Sequence, residues 1–351
     1  MPITIRSLED HADAAAAWDR FAGTHPDGTF FHRADWRRVI EAGFGHRTHF
    51  LFAERDGSIT GVLPLAEVRS PLFGKSLISL PFCVYGGPLA ADQQSFAALL
   101  DAGQARMRAA RMPALELRLR DQPPADWLDP ALWPAKTDLY VTFRKPIGAD
   151  DDANLKAIPR KQRAVVRKGI EHGLTGRVTG GVDRLHAIYA ESVRNLGTPV
   201  FSRRYFRVLA EIFRDSMDVV EILDGDNPVA AVMNFYWRDE VLPYYGGGTA
   251  SARNCHANDF MYWDVMRRAA ARGCRLFDYG RSKLGTGSFS FKKNWGFTPA
   301  PLDYRFALAP GATIPDHNPL NPKYRLFIAG WKKLPLPIAN LLGPHIVRGV
   351  G

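Results

Sequence analysis

Cysteine is scarce in this 351-residue chain, which holds only Cys83, Cys255 and Cys274. They are too few and too scattered for a disulfide framework or a zinc site, so the expectation is a reducing compartment and no metal. Cys255 stands beside His256, but adjacent residues rarely face each other, so the pair does not read as a nucleophile with its base. No uncharged apolar run approaches the ~20 residues that span a bilayer. The first residues carry Glu9, Asp10 and Asp13 and no apolar core, so no signal peptide is expected. The reading is a cytoplasmic protein, with the inner face of the membrane as the one alternative location. Nucleotide loops are missing too. There is no G-x-x-x-x-G-K-[ST], and Gly280, Gly285 and Gly287 lack the G-x-G-x-x-G spacing, which excludes a P-loop and leaves a dinucleotide fold unsupported.

What the chain does have is positive charge: 46 Lys and Arg against 36 Asp and Glu give a net +10. That favours anionic partners, whether phosphorylated donors, RNA or a membrane face, without choosing among them. The length allows two domains, at ~100–200 residues each.

The most distinctive stretch runs from Leu276 to Phe297, LFDYGRSKLGTGSFSFKKNWGF. Strand-like residues lead to a turn at Gly280, followed by Arg281 and Lys283, the flexible Gly285-Thr286-Gly287, and Lys292-Lys293 before Trp295. A cationic strand edge, a glycine loop that lets backbone N–H groups approach a ligand and a second cation pair make an anion cradle. The other reading is a hairpin whose lysines are merely solvated.

Two halves of the chain follow the same order of elements. Each has an aromatic-rich helix, two alternating strands around a turn (Asp56-Gly57; Asp224 to Pro228), a strand ending in Tyr-Gly-Gly, then a helix and a strand. Tyr85-Gly86-Gly87 and Tyr245-Gly246-Gly247 occupy matching positions, as do the M-R-x-A and M-R-R-A helices at Met107 and Met266. This predicts a duplicated mixed α/β unit. The boundaries are set at 1–150, 151–310 and 311–351.

Near the first boundary, Asp150 to Asp152 offer N-caps for a basic segment, Asn154 to Gly173. Its Arg160, Arg163 and Arg167 stand at i, i+3, i+7 and share one helical face, and no acid follows until Glu171. Such a ridge is either a solvated face or an anion site. On the helix from Arg184 to Leu196, Tyr189 reads as packed. The last residues change character: Pro310 to Pro322 is a proline-rich connector, and 323–351 mixes cations with Trp331, Leu336, Ile338, Leu341 and Leu342. Pro335 and Pro337 interrupt any long helix there. The tail either rests on a membrane surface or a partner, or packs back on the second domain.

Together, the run Phe277 to Ser282, the run Gly285 to Phe297 and the basic helix Ile158 to Gly169 resemble the FemAB/FemX-like proteins. The likeness is greatest to those associated with exosortase/PEP-CTERM and exopolysaccharide systems. The order of elements agrees from about Thr29 to Ala309. The resemblance implies two tandem GNAT-like acyltransferase domains, each a mixed sheet flanked by helices, and transfer of an acyl or aminoacyl group to an amine. It implies no tightly bound cofactor. Acyl-CoA or aminoacyl-tRNA would be co-substrate, and the acceptor an anionic small molecule or a lipid- or nucleotide-linked sugar of the cell envelope or of exopolysaccharide.

Carried over by motif, substrate contacts fall on Arg163 or Arg167 and on Lys292 or Lys293, with Tyr244 or Tyr245 at the strand mouth. Lys292 or Lys293 would stabilise an oxyanion or hold a phosphate, with Arg281, Lys283, Gly285 and Gly287 around them. Asp278 is the first candidate general base and Asp259 the second. Two departures stand out: no heptad pattern for a tRNA-binding arm, and no R-x-x-G-x-G between Gly247 and Phe260. A non-catalytic scaffold of a polysaccharide assembly and a nucleic-acid-binding protein are the competing readings.

Overall fold

The computed structural model describes residues 2–136, 139–315 and 322–351. Its strands are β1 (Thr4–Ser7), β2 (Thr48–Arg55), β3 (Ser58–Ser70), β4 (Gly74–Ser79), β5 (Leu89–Ala90), β6 (Ala114–Leu119), β7 (Tyr140–Pro146) and β8 (Thr175–Thr179). They continue as β9 (Met217–Asp224), β10 (Asn227–Trp237), β11 (Glu240–Gly248), β12 (Leu276–Asp278), β13 (Ser282–Lys283), β14 (Pro299–Pro301) and β15 (Asp303–Leu308). The helices are α1 (Ala15–Thr24), α2 (Trp36–Phe44), α3 (Gln93–Ala109), α4 (Asp151–Lys156), α5 (Arg160–Glu171), α6 (Asp183–Leu196) and α7 (Arg203–Ile212). After these come α8 (Ala257–Ala271), α9 (Gly287–Asn294), α10 (Pro322–Trp331) and α11 (Leu336–Val347).

Two compact units divide the chain. The first takes Met1–Leu139, Pro301–Asn318 and Val347–Gly351; the second takes Tyr140–Ala300 and Pro319–Ile346. In the first, the sheet runs β1-β2-β3-β4-β6-β15, with β5 on β3. In the second it runs β13-β7-β12-β11-β10-β9-β8, with β14 on β7. The two sheets share a plan. Antiparallel strands lead to one parallel pair, β4 with β6 and β11 with β12, and a further antiparallel strand lies beyond it. The expected duplication of a mixed α/β unit is therefore the architecture observed.

The boundaries differ from those expected at 150 and 310. β6 needs a hydrogen-bonding neighbour on its open side, and β15 supplies it, in register from Asp303↔Leu119 to Leu308↔Ala114. The matching strand of the second sheet, β7, comes before that unit's body and pairs with β12. The chain thus closes the first sheet only after passing through the second unit. The connector Pro310 to Pro322 falls partly on 316–321, and the start of the strand expected from Thr137 falls on 137–138; both lie outside the described residues.

Local chemistry explains the turns. Asp56 and Gly57 both take positive φ, 53° and 74°, as a two-residue hairpin turn between right-twisted strands requires. The strand expected to end in Tyr85-Gly86-Gly87 stops instead at Ser79, because Pro81 has no N–H to continue a ladder. The chain leaves the sheet there and returns where the Gly87 N–H donates to Arg118 O at 2.9 Å. Its counterpart Tyr245-Gly246-Gly247 does lie at the end of a strand, β11.

The core of the second unit lies between the sheet and α8, whose Phe260, Met261, Trp263, Val265, Met266 and Ala269 are buried. The basic helix α5 lies against α8 through Gly169, where a Cβ would come within 2.9 Å of Phe260 Cβ. Its Val166 is fully buried, so the helix packs on one side and keeps Arg160, Lys161, Arg167 and Lys168 exposed on the other. Asp150 caps α4, accepting from the amides of Asp152 and Ala153.

Candidate active site of the second unit

β11 and β12 are paired only at Glu240↔Leu276 and Val241↔Phe277. Beyond that point β11 runs on to Gly248 beside β10 alone, and its register shifts so that Tyr244 is the extra residue between Pro243 and Tyr245. A wedge therefore opens between two parallel strands at their C-terminal ends, where open α/β sheets place ligands.

The wall of this wedge comes from α8 and from the F-K-K-x-W-G-F string. Tyr262, on α8, has its ring 4.8 Å from that of Tyr279, just after β12. Its hydroxyl lies where a Cβ on Gly246 would come within 3.2 Å, so Tyr262 reaches across to β11 and a side chain at Gly246 would crowd it. Burial, with the Asp259 charge second, pushes the Tyr262 phenol up to about 12. Tyr279 is raised well above the usual phenol value by burial, then by Tyr262 and Asp259. Its hydroxyl is buried with no hydrogen-bond partner among the described residues. At neutral pH both phenols keep their protons and are donors.

Asp259 stands one turn before Tyr262 on α8. Its Oδ1 accepts from Trp295 Nε1 at 3.0 Å and from Gln162 Nε2 of α5. Burial raises the carboxyl above the usual aspartate value, while those two donors work against the rise. Asp278, the first sequence candidate for general base, is committed elsewhere. It is buried, its Oδ1 accepts from the Gly280 N–H at 2.7 Å, and its Oδ2 lies 3.3 Å from Arg144 Nε. It braces the turn at Gly280, whose φ of 65° suits glycine. Asp278 is thus held by the turn and Arg144, and Asp259 by Trp295 and Gln162.

The two lysines separate as well. Lys292 turns inward and donates from Nζ to Gly280 O at 3.1 Å and Arg281 O at 2.9 Å, with Nζ 5.8 Å from the Tyr279 ring centre. Burial lowers it to about 7; Asp278 opposes this shift and Arg281 adds to it. Lys293 is exposed. Both lysines lie on the helix α9, not on the hairpin of the alternative reading; Thr286 caps it, accepting from the Phe289 N–H. Gly285, at φ 74°, turns the chain into it, and an added Cβ at Gly285 or Gly287 would meet nothing within 4 Å. The glycine loop is open on its outer side. Arg281 and Lys283 both lie over the Tyr140 ring, at 4.5 Å and 5.3 Å.

Of the remaining candidates, Tyr245 is buried, its hydroxyl 2.8 Å from that of Tyr205 amid Tyr189, Phe201 and Phe206. It belongs to packing, as does the half-buried Tyr189, whose ring meets those of Phe206 and Tyr245 edge-on. Tyr244, half-buried at the bulge, lays its ring against those of Tyr245 and Phe235, at 4.7 Å and 5.7 Å. Arg163 donates to Lys156 O at 3.0 Å, whereas Arg167 is exposed without a partner among the described residues. Sequence reasoning missed Tyr262 and Gln162. The i, i+3 spacing of Asp259 and Tyr262 on one helix face is the signal that could have found the first.

The first two amides of the loop between β11 and α8 are engaged by neighbouring elements, β10 and α6. Thr249 N donates to Val229 O at 2.9 Å, and Ala250 N donates to the Glu191 carboxylate at 2.8 Å.

Residues 155–293 match the family model described as an acetyltransferase (GNAT) domain, a segment that contains α8 and the F-K-K-x-W-G-F string as far as Lys293. No curated protein sequence is significantly similar to the chain. Among solved structures the chain is similar to FemX, with TM-score 0.67 and 15% identity over 88% of this chain and 98% of that one. It is similar to a tandem GNAT protein from the clavulanic acid biosynthesis pathway, with TM-score 0.55 and 11% identity over 89% and 100%. It is also similar to L-PGS from Bacillus licheniformis, with TM-score 0.52 and 11% identity over 86% and 97%. At these identities the likeness is one of fold. The chain has a tandem GNAT-like mixed α/β fold and carries a GNAT-type acyltransferase domain in its second unit.

Proposed function

We propose that the second unit transfers an acyl or aminoacyl group to an amine on an anionic cell-envelope or exopolysaccharide precursor, lipid- or nucleotide-linked. The observation that carries this reading is the wedge between β11 and β12, walled by a carboxylate of raised pKa and two protonated phenols within the GNAT-matched segment. The acceptor amine attacks the donor carbonyl, forming an N–C bond and breaking the C–O bond of an ester or the C–S bond of a thioester. Asp259 takes the amine proton, and a phenol, Tyr279 by its unpaired hydroxyl, gives a proton to the leaving alkoxide or thiolate. Both donors are already activated, so holding the partners in place supplies much of the rate, up to ~7–11 kcal/mol in well-oriented cases. Lys292 holds the Gly280–Arg281 turn through two carbonyls and so positions Tyr279 beside it. Arg167, Arg281 and Lys283 are the cations for the precursor's phosphate or carboxylate.

GNAT enzymes draw on acyl-CoA. In this chain the amide of Ala250 is taken by Glu191, and a carboxylate at that loop disfavours a pyrophosphate there. We therefore rank an aminoacyl ester, aminoacyl-tRNA, above acyl-CoA as the donor. The test offers purified protein radiolabelled aminoacyl-tRNA or acyl-CoA together with amine-bearing nucleotide sugars. Transfer from the ester at least ten times faster than from the thioester is expected. Faster use of acyl-CoA would reverse the donor ranking, and no product from any donor would refute the transferase reading. A thermal-shift panel runs alongside, since a ligand at ~100 times its Kd adds ~2.7 kcal/mol of apparent stability.

A further inference from the structure

Helix α11 lacks the charged outer side expected of a surface helix. Its Ala339, Gly343 and Val347 are buried, with Leu336 and Asn340 partly so, and they form the packed side. Leu336 joins Ala190, Val193 and Val200 in a small cluster, and a Cβ on Gly343 would come within 2.9 Å of Val200 N. The opposite side holds Ile338, Leu341, Leu342 and His345, at i, i+3, i+4 and i+7, and it faces solvent. Exposures of 44%, 68% and 43% for its three aliphatic residues mean that no part of the described chain covers them. A packed surface helix puts charge on that side; α11 has no charged residue in its 12 positions.

The neighbouring segments extend the same surface. On α10, Leu326 is 86% exposed and Phe327 42%, while Trp331 beneath them is buried. Leu196, at the end of α6, is 65% exposed, and Gly197 beside it abuts Ile328 and Lys332 of the C-terminal segment. Arg194 donates to Lys332 O at 3.2 Å and ties the base of the helical pair to α6. Between the two helices stand Lys332 and Lys333, both exposed. From His317 to Gly351 the sequence has no Asp or Glu to offset Lys323, Arg325, Lys332, Lys333 and Arg348.

We propose that α10 and α11 form an interfacial anchor that lays the Ile338/Leu341/Leu342 face and Leu326 into the surface of an anionic lipid bilayer, with Lys332 and Lys333 at the headgroups. One physical point favours lipid over a protein partner, and two more set the depth of the attachment. The surface joins an apolar face to unopposed cations, the composition that binds acidic headgroups and acyl chains together. A helix of 12 residues is about 18 Å long, enough to lie in the interface and too short to cross the ~30 Å core. No helix among the described residues is long and apolar enough to span a membrane, so attachment through this segment is peripheral. Such an anchor would hold the enzyme where a lipid-linked acceptor resides, but it does not depend on the transferase reading.

The experiment is co-sedimentation of the full chain with vesicles of phosphatidylcholine alone and of phosphatidylcholine with 30–40% phosphatidylglycerol (on the order of the anionic content used to mimic a charged leaflet). Binding to the anionic vesicles is expected, with at least tenfold weaker binding to neutral ones. Leu341→Ser/Leu342→Ser and Lys332→Gln/Lys333→Gln are each expected to weaken it about tenfold. Circular dichroism and melting temperature check that both variants stay folded, and the exposed positions of all four residues leave the fold intact. Absence of binding to anionic vesicles overturns the proposal. So does binding that the leucine variant leaves unchanged, which is charge attraction alone, or a concentration-dependent dimer that the leucine variant dissociates. Donor-to-acceptor transfer in vesicle-free solution reports on the transferase reading separately, so either can fail alone.

Discussion

The indole N–H of Trp295 donates to Oδ1 of Asp259 at 3.0 Å, fastening the F-K-K-x-W-G-F string to the first turn of α8. Trp295 is fully buried, and burying a large apolar side chain stabilises by roughly 1.5–3 kcal/mol, so the anchor is rigid. Asp259→Asn keeps a carbonyl oxygen for Trp295 and Gln162 but cannot take a proton. It is expected to lower kcat by about 10²–10⁴ with an unchanged melting temperature. In the wild type, activity requires the carboxylate form, so the acidic limb of the pH–rate profile should lie above the ordinary aspartate range, in the direction burial moves the group. Full activity of Asp259→Asn would remove it as the base.

Lys292 gives a signature in stability. Folded, it loses its proton near 7, whereas an unfolded lysine holds its proton to ~10.4. Between those values the unfolded chain binds more protons, so this group makes stability rise with pH from about 7 to ~10.4 and contributes no slope below 7. Chemical denaturation at several pH values should show that rise in the wild type and its loss in Lys292→Met. The same variant frees the carbonyls of Gly280 and Arg281 and should cost ~10²-fold in kcat through misplacement of the turn. Lys293→Ala, at an exposed position, should leave both stability and kcat near wild type.

The duplicated order of elements was legible because each half repeats its alternating strands and its turn chemistry within short windows. The exchange of β7 and β15 was not, since strand pairing across most of the chain leaves no local mark. Residues Ser288 to Phe291 alternate serine and aromatic like a strand, yet Thr286 caps them into a helix. The lysine pair was legible, but which of the two turns inward depends on where the helix sets their directions. On sequence Asp278 ranked ahead of Asp259 as the base. What separates them is their partners, a backbone N–H and Arg144 for one, Trp295 and Gln162 for the other, and those come from distant segments.

The arginines of α5 should divide by role. Arg163 and Arg167 share a helical face, but Arg163 donates to Lys156 O, one of the carbonyls left open at the end of α4, while Arg167 extends to solvent. Arg163→Ala should therefore cost stability, about 0.5–1.5 kcal/mol for one hydrogen bond. Arg167→Ala should leave stability unchanged and raise KM for an anionic acceptor about tenfold, the loss of one charge-assisted contact of ~1.5 kcal/mol. Its kcat should stay level, because a cation that holds a remote phosphate binds ground state and transition state alike. The wild-type KM should climb with salt more steeply than that of Arg167→Ala, since the missing guanidinium is one of the charges being screened. A kcat loss in Arg167→Ala at constant KM would move this residue from substrate capture to the chemistry itself.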